Sequence, residues 1–429
     1  MTKHIKFFIT FLLFFNMFIG NALAEEVLAW QDCIGEAQKN HPNLISAQES
    51  IKEKEASKAI TTSGLLPQIT GNASGRTAKT STRTDDEMRS STSDSYSYGV
   101  AGTQLIFDGF KTINDVRAAS ENIKAAQYNY KFTSSEVRLD LRTAFINLLK
   151  AQELINVTNE IAKIRKDNLD LITLRYQSGL EHKGAFLTAD ANLAEANFEL
   201  SQAKRDVELA QRQLTKEMGR REFKPMSVKA DFTVRDPAKE KQDFETLVKN
   251  NPSYLKLEAE KNAASFGVKS AYSEFFPTLS GTAGATRSDS RWPPEGNGWS
   301  LGLSASVPIF EGGSKVAQVY QAKALYNQAE ANERSTKDSV VVALEQTWTA
   351  LQDALETVEV QSKVLNATEE RSKIAQEQYS TGFITFDNWI IIQNDLVSAK
   401  KAYLNAQANA LLAEANWVQA KGETIEYAQ

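Results

Sequence analysis

Ile106-Phe107-Asp108-Gly109 opens, and Arg175-Tyr176-Gln177-Ser178-Gly179 closes, a run of 69 residues from Phe110 to Ser178 that holds neither proline nor glycine. At about 1.5 Å of rise per residue, an unbroken helix of that size is about 100 Å long. Globular helices average about 11 to 12 residues, so such a run points to a coiled coil, a helical repeat or the wall of a tube. Ala, Leu, Lys, Glu, Gln and Arg dominate it, all good helix formers, while Val and Ile recur as packing positions.

The unit occurs twice. Ile309-Phe310-Glu311-Gly312 repeats the opening motif at a spacing of 203, and a second run free of Pro and Gly, Ser314 to Thr381, ends in Gln378-Tyr379-Ser380-Thr381-Gly382 at the same spacing. Gly219 and Gly422, which close the following helices, are again 203 apart. Upstream, Asn40-His41-Pro42 pairs with Asn250-Asn251-Pro252, and Leu65-Leu66-Pro67 with Phe275-Phe276-Pro277, both at 210. A seven-residue length difference therefore falls between Pro67 and Gly109, and exposed loops are where such differences are tolerated. A period of about 200 exceeds that of solenoid units, so the chain reads as two duplicated halves.

Residues 1–24 are different in kind. Lys3 and Lys6 precede an apolar run, Phe7 to Ile19, and Asn21-Ala22-Leu23-Ala24 offers a small-x-small cleavage site, which together read as an export signal. At 13 residues in all, that run falls short of the roughly 20 that span a bilayer as a helix. No other stretch reads as a transmembrane helix. Net charge is only -5 over 429 residues, so no nucleic-acid partner is indicated. The lone Cys33 has no disulfide partner and reads as a buried small side chain. His4, His41 and His182 are scattered, and no metal-ligand spacing, nucleophile motif or phosphate-cradling loop occurs. The sequence therefore gives no reason to expect a metal, a cofactor or an enzyme.

In the first half a short helix is expected at Trp30 to Lys39, and in each half a longer one, near Asn43 to Thr62 and Ser253 to Ser273, precedes a strand entered through an edge proline. The first hairpin is expected at about 65–107, with the polar tract Arg76 to Ser95 as a solvated loop or partly disordered. The second is expected at about 275–310. There Trp299, Leu301, Leu303, Ala305, Val307 and Ile309 alternate with Ser300, Gly302, Ser304, Ser306, Pro308 and Phe310. Period-two alternation makes one apolar face and one small, polar face. A transmembrane barrel strand has this pattern, and so does a half-buried strand of a soluble sheet. If the strands enter a membrane, four are too few, because closed barrels start at eight and an open edge in lipid leaves backbone groups unpaired. Three copies supply twelve.

Long helices at about 110–178 and 314–381 are followed by glycine turns and return helices at about 185–218 and 383–421. The return helices are alanine-rich at Ala189, Ala191, Ala194, Ala196, Ala406, Ala408, Ala410, Ala413 and Ala415, and small residues permit close helix approach. The first half thus spans 25–219, a connector with a short strand near Met226 to Val234 spans 220–249, and the second half spans 250–429.

This order resembles the outer-membrane efflux protein family, the TolC-like channels. The resemblance covers the mature chain and rests on Asp32-Cys33-Ile34, Asn40-His41-Pro42, the strand-entry Pro67 and Pro277, Ile-Phe-acid-Gly before each long helix, and Arg175-Tyr176-x-x-Gly179 and Gln378-Tyr379-x-x-Gly382 after them. It implies a mainly α protein with a small β part, a homotrimer whose twelve strands form a barrel in the outer membrane, continued by a periplasmic α-helical barrel, with 220–249 in its equatorial region. It further implies a passive exit duct of a tripartite efflux or type I secretion system, in contact with outer-membrane lipid and served by a periplasmic adaptor and an inner-membrane pump. By position it assigns Tyr176, Glu181, His182, Lys183, Tyr379, Asp387 and Asn388 to a periplasmic gate, and Ser178, Gly179, Leu180, Thr381, Gly382 and Phe383 to adaptor docking. The chain departs from the family's acidic entrance ring. Asn388 stands at the aspartate position, Asp387 one place earlier, and Ile384 where a gating arginine can occur. With the strands in a membrane, as the resemblance implies, Trp299, Leu301, Leu303, Ala305, Val307 and Ile309 are the membrane-facing residues. A soluble periplasmic coiled-coil adaptor or structural protein is the alternative, since long Ala-rich helices suit it too. Drug, metal and polypeptide cargo are all compatible with the sequence.

Overall fold

Glycines and prolines punctuate a chain built mostly of helix. The computed structural model describes residues 26–84, 87–232, 234 and 243–427. The expected export signal, residues 1–24, and part of the 220–249 connector lie outside the described residues. In order, the elements are β1 (Glu26–Leu28), α1 (Trp30–Asn40), α2 (Pro42–Ser63), β2 (Gln68–Thr84), β3 (Glu87–Phe107), α3 (Lys111–Gln177), α4 (Lys183–Glu217), β4 (Met226–Val228), α5 (Phe244–Asn250), α6 (Pro252–Ser273), β5 (Thr278–Asp289), β6 (Gly296–Ser306), α7 (Ser314–Ser380) and α8 (Phe386–Ala420), with a 3-10 turn at Ile425–Tyr427. The two long helices have 67 residues each and the two return helices 35 each, so the constant 203-residue spacing records equal helix lengths.

The chain forms two compact units. One holds the described residues within Met1–Pro42, Ser135–Lys241 and Gln346–Gln429, and the other holds Asn43–Ser134 and Gln242–Glu345. In the second, one antiparallel sheet has the order β2-β3-β5-β6. Cross-strand partners place Gly71, Val100, Ala285 and Trp299 in one row and Ile69, Gly102, Ala283 and Leu301 in another on the same face. The opposite face carries Thr70, Ala101, Gly284 and Ser300, then Gln68, Thr103, Thr282 and Gly302. Alternation along each strand thus becomes one apolar and one small, polar sheet face.

Two expectations are corrected here. Arg76 to Ser95 is not a solvated loop. β2–β3 pairing continues to Thr84↔Glu87, well past the last β3–β5 pair at Tyr96↔Asp289, so the described residues of the tract form a two-stranded ribbon. Its hydroxyl side chains supply cross-strand bonds in place of apolar burial, with Thr77 Oγ1 donating to Asp94 Oδ1 at 2.8 Å. This ribbon absorbs the length difference between the halves. Second, β6 stops at Ser306, whose partner is Thr278. Pro308 has no N–H for the ladder, so Val307 and Ile309 lie beyond the strand.

The sheet joins the long helices through left-handed residues, Gly109 and Phe110 in the first half and Gly312 and Gly313 in the second. In the other unit, β1 pairs with β4 in parallel, and Gln152 completes the edge by accepting from Val228 N at 2.9 Å and donating to Val228 O at 3.1 Å. Val137, Leu141, Phe145 and Leu148 recur at helical spacing on α3 and are fully buried. Trp348 of α7 meets Trp417 of α8 with ring centroids 5.1 Å apart. On α4 the buried alanines are Ala185 and then Ala189, Ala196, Ala203 and Ala210, the last four a seven-residue repeat that keeps one seam against its neighbours. Ala191 and Ala194, expected to share that packing role, are exposed, because the seam passes only every seventh position. Cys33 is fully buried, and that burial pushes its thiol up to about 12.

Candidate gate at the helix-hairpin turns

Both helix hairpins reverse in the same way. Leu180 N donates to Arg175 O at 2.8 Å and Gly179 N to Tyr176 O at 3.0 Å, while Phe383 N donates to Gln378 O at 2.8 Å and Gly382 N to Tyr379 O at 3.1 Å. These paired bonds satisfy the last free carbonyls of a helix and require a left-handed residue, which Gly179 and Gly382 supply with φ of 75° and 81°. The return helices are then capped at equivalent positions. His182 Nδ1 accepts from Ala185 N at 3.1 Å, and Thr385 Oγ1 accepts from Asn388 N at 3.4 Å.

The duplication extends to an aromatic pair. Tyr176 stacks on Phe186 at 5.7 Å, and 203 residues later Tyr379 stacks on Trp389 at 4.5 Å, with planes within 7°. The halves then diverge. Tyr176 is 39% exposed, whereas Tyr379 is 1% exposed within a cluster of Ile172, Ala185, Ala189, Ala375, Phe386, Trp389 and Ile390. The buried phenol needs an acceptor. It donates to Glu181 Oε2 at 2.7 Å, so α7 is tied to the turn between α3 and α4. Glu181 has no counterpart in the second half, where Ile384 stands.

Arg175 closes the same cluster from α3. Its guanidinium lies 4.7 Å from the Tyr379 ring centre and donates to the carbonyls of Tyr379 and Ser380, each at 3.4 Å. Trp389 Nε1 donates to Gln376 Oε1 at 3.0 Å, and Gln393 to Ser372 Oγ at 3.0 Å. Further back, Arg165 donates to Asn394 Oδ1 at 2.6 Å, and Lys401 pairs with Glu199 at 2.6 Å. Burial, then the hydrogen bond to Glu181, raises the Tyr379 hydroxyl above its ordinary value, with Arg175 opposing. The phenol therefore stays protonated and donating.

Of the expected gate residues, the structure brings together Tyr379, Glu181 and, through Nε2 at 3.8 Å from Glu181, His182. Tyr176 lies in the matching pair of the first half. Lys183, Asp387 and Asn388 are exposed and outside the cluster. Asp387 sits in the first turn of α8, where a carboxylate favours the helix N-terminus. Arg175, Phe186, Gln376 and Trp389 complete the arrangement and were not among the expected gate residues, although the 203-residue offset that pairs Tyr176 with Tyr379 also pairs Phe186 with Trp389. The expected docking residues Ser178, Gly179, Leu180, Thr381, Gly382 and Phe383 form the two turns. Leu180 and Phe383 stand 67% and 83% exposed. On the sheet, Trp299, Leu301 and Leu303 are 77–83% exposed on one face.

Long helices thus occur twice, each preceded by a strand hairpin of one sheet with an exposed apolar face. The chain belongs to the outer membrane efflux protein family, whose model matches residues 33–220 and 245–423. It is 24% identical over 409 residues to the outer membrane efflux protein BepC of Brucella suis biovar 1 (strain 1330), covering 94% of this chain and 87% of that one. It is 25% identical over 350 residues to the outer membrane protein TolC of Escherichia coli (strain K12), covering 76% and 69%. The crystal structure of the outer membrane protein VceC from Vibrio cholerae matches with a TM-score of 0.80 at 18% identity, covering 92% of this chain and 96% of that one. The protein is an outer-membrane efflux channel component with the TolC-like fold, from a family of channels. The soluble coiled-coil adaptor is not supported.

Proposed function

We propose that three copies of the chain form one passive exit duct, gated by the helix-hairpin turns and served at those turns by a periplasmic adaptor and an inner-membrane pump. Trimer closure is supported by the sheet. β2 and β6 are edges with unpaired backbone groups, which lipid does not tolerate, and twelve strands from three copies close the ladder. Trp299, Leu301 and Leu303, with Ala305, are its lipid-facing residues. Val307 and Ile309 continue that surface past the strand end.

The observation that carries the gate is the bond from Tyr379 to Glu181, held in place by the Trp389 stack and Arg175. It links α7 to the α3–α4 turn, so parting the helix pairs requires breaking it. Leu180 and Phe383, the exposed apolar tips next to Gly179 and Gly382, present the adaptor with a repeated contact of the kind that partner surfaces use. Lys183, Asp387 and Asn388 are exposed polar groups at the turns that tune which ions enter.

Single-channel conductance in planar bilayers tests the gate. Tyr379→Phe keeps the stack and removes the bond, and Glu181→Ala removes its acceptor. Each is expected to raise closed-state conductance, and the double variant is expected to add little more, because both remove one interaction. Wild-type conductance in Tyr379→Phe would overturn the role of the bond. Asp387→Ala is expected to shift ion selectivity toward anions without opening the channel.

A further inference from the structure

The apolar face of the sheet is not smooth. Cross-strand register places Gly71, Val100 and Ala285 in one row and Ala73, Tyr98 and Arg287 in the next, all on the face of Trp299 and Leu301. An open depression of about 600 Å³ lies over them, which is within the about 300–1,000 Å³ range of small-ligand sites. Small side chains make its floor. A Cβ at Gly71 would meet nothing within 4 Å, so that glycine opens on free space.

Its chemistry changes from one end to the other. Val100 and Ala285 make one part apolar, and Tyr98 and Arg287 bound the other. Arg287 is exposed, and its guanidinium has neither a hydrogen bond nor an ion pair among the described residues. Tyr98, its cross-strand partner, and Tyr96 pack edge-on against Trp292, with ring centres 6.4 and 6.2 Å away. Amphipathic rings of this kind settle at headgroup level in a bilayer. An apolar trough that ends in an aromatic rim and an unpaired guanidinium matches a molecule with a hydrocarbon tail and an anionic head. Guanidinium prefers phosphate among such heads, because its planar donors fit two oxygens at once.

We propose that this depression holds an acyl chain of one anionic, phosphate-bearing membrane lipid, with Arg287 on the phosphate and Tyr98 at the tail–head boundary. The proposal rests on the reading that this sheet face lies in the bilayer. All of its residues belong to strands of one sheet and to the β5–β6 connection, so the site is complete in a single chain.

The test is native mass spectrometry of the full-length protein in detergent, equilibrated with equal amounts of phosphatidylglycerol and phosphatidylcholine carrying the same chains. Wild type is expected to retain phosphatidylglycerol about fivefold over phosphatidylcholine, the preference that one cation near an anionic surface confers. Arg287→Gln is expected to bring that ratio close to one with total retention largely kept. Gly71→Leu, which fills the trough without a backbone clash, is expected to cut retention of both lipids. An unchanged ratio in Arg287→Gln, or wild-type retention in Gly71→Leu, overturns the site. Flotation with lipid vesicles separates the two readings. Floating variants that keep wild-type lipid retention sink the lipid site alone, whereas a wild type that fails to float sinks the membrane reading and the site with it.

Discussion

Gly109 and Gly312 occupy the same place in the two halves, yet their surroundings differ. Both have positive φ, 68° and 61°. A Cβ on Gly109 would lie 2.5 Å from the Ser273 carbonyl oxygen, whereas one on Gly312 would meet nothing within 4 Å. Gly312→Ala therefore costs only the left-handed strain, about 1 kcal/mol. Gly109→Ala adds a clash with backbone that has no rotamer to escape into, for about 3 kcal/mol in all. Denaturant titration of the purified variants checks the order. Tyr176 and Tyr379 teach the same lesson. Their offset made them visible together, but their burial depends on Arg175 and Glu181 against Gln378 and Ile384, four residues that a repeat comparison treats as substitutions at matched positions.

Among the elements, the junction of β1 and α1 with the end of α4 is held by charge. Arg220 Nη1 donates to Glu26 Oε2 at 2.8 Å and the same guanidinium bonds Glu36. The hydrogen bond from Arg220 holds the Glu26 carboxyl below the ordinary glutamate value of 4.5. A lowered folded-state value gives stabilisation that is present above the unfolded value and lost as pH falls through the folded one. The melting temperature is therefore expected to drop on acidification below about pH 4.5, and Arg220→Gln to flatten that drop. Circular dichroism melts across the acid range measure both. The β2–β3 ribbon makes a second test. Beyond Tyr96 it pairs only with itself, so replacing 78–93 with a two-residue Asn-Gly turn is expected to leave the four-stranded sheet and channel conductance intact. Its strand character was hidden because Ser, Thr and Asp read as loop until a partner strand satisfies their backbone.

For the whole molecule, the two faces of the sheet have opposite fates if twelve strands close in lipid. Leu303→Arg puts a cation among acyl chains and is expected to cost about 2–4 kcal/mol near the bilayer midplane, with loss of the protein from the outer-membrane fraction. Ser304→Arg, one residue along and on the other face, is expected to assemble and to shift conduction toward anions. Fractionation and bilayer recording of the pair decide the matter, and equal loss from both would contradict a barrel with a wet interior.

By itself the sequence determined the duplicated order, the helix lengths and the face of β6 that is apolar, because these follow from breakers and periodicity along one strand or helix. Tertiary structure decided which of two matched tyrosines is buried, that a polar tract pairs as a ribbon, and that small residues on four strands leave a trough beside Arg287. Each of those depends on atoms brought together from distant positions, and neither composition nor period carries the register that joins them.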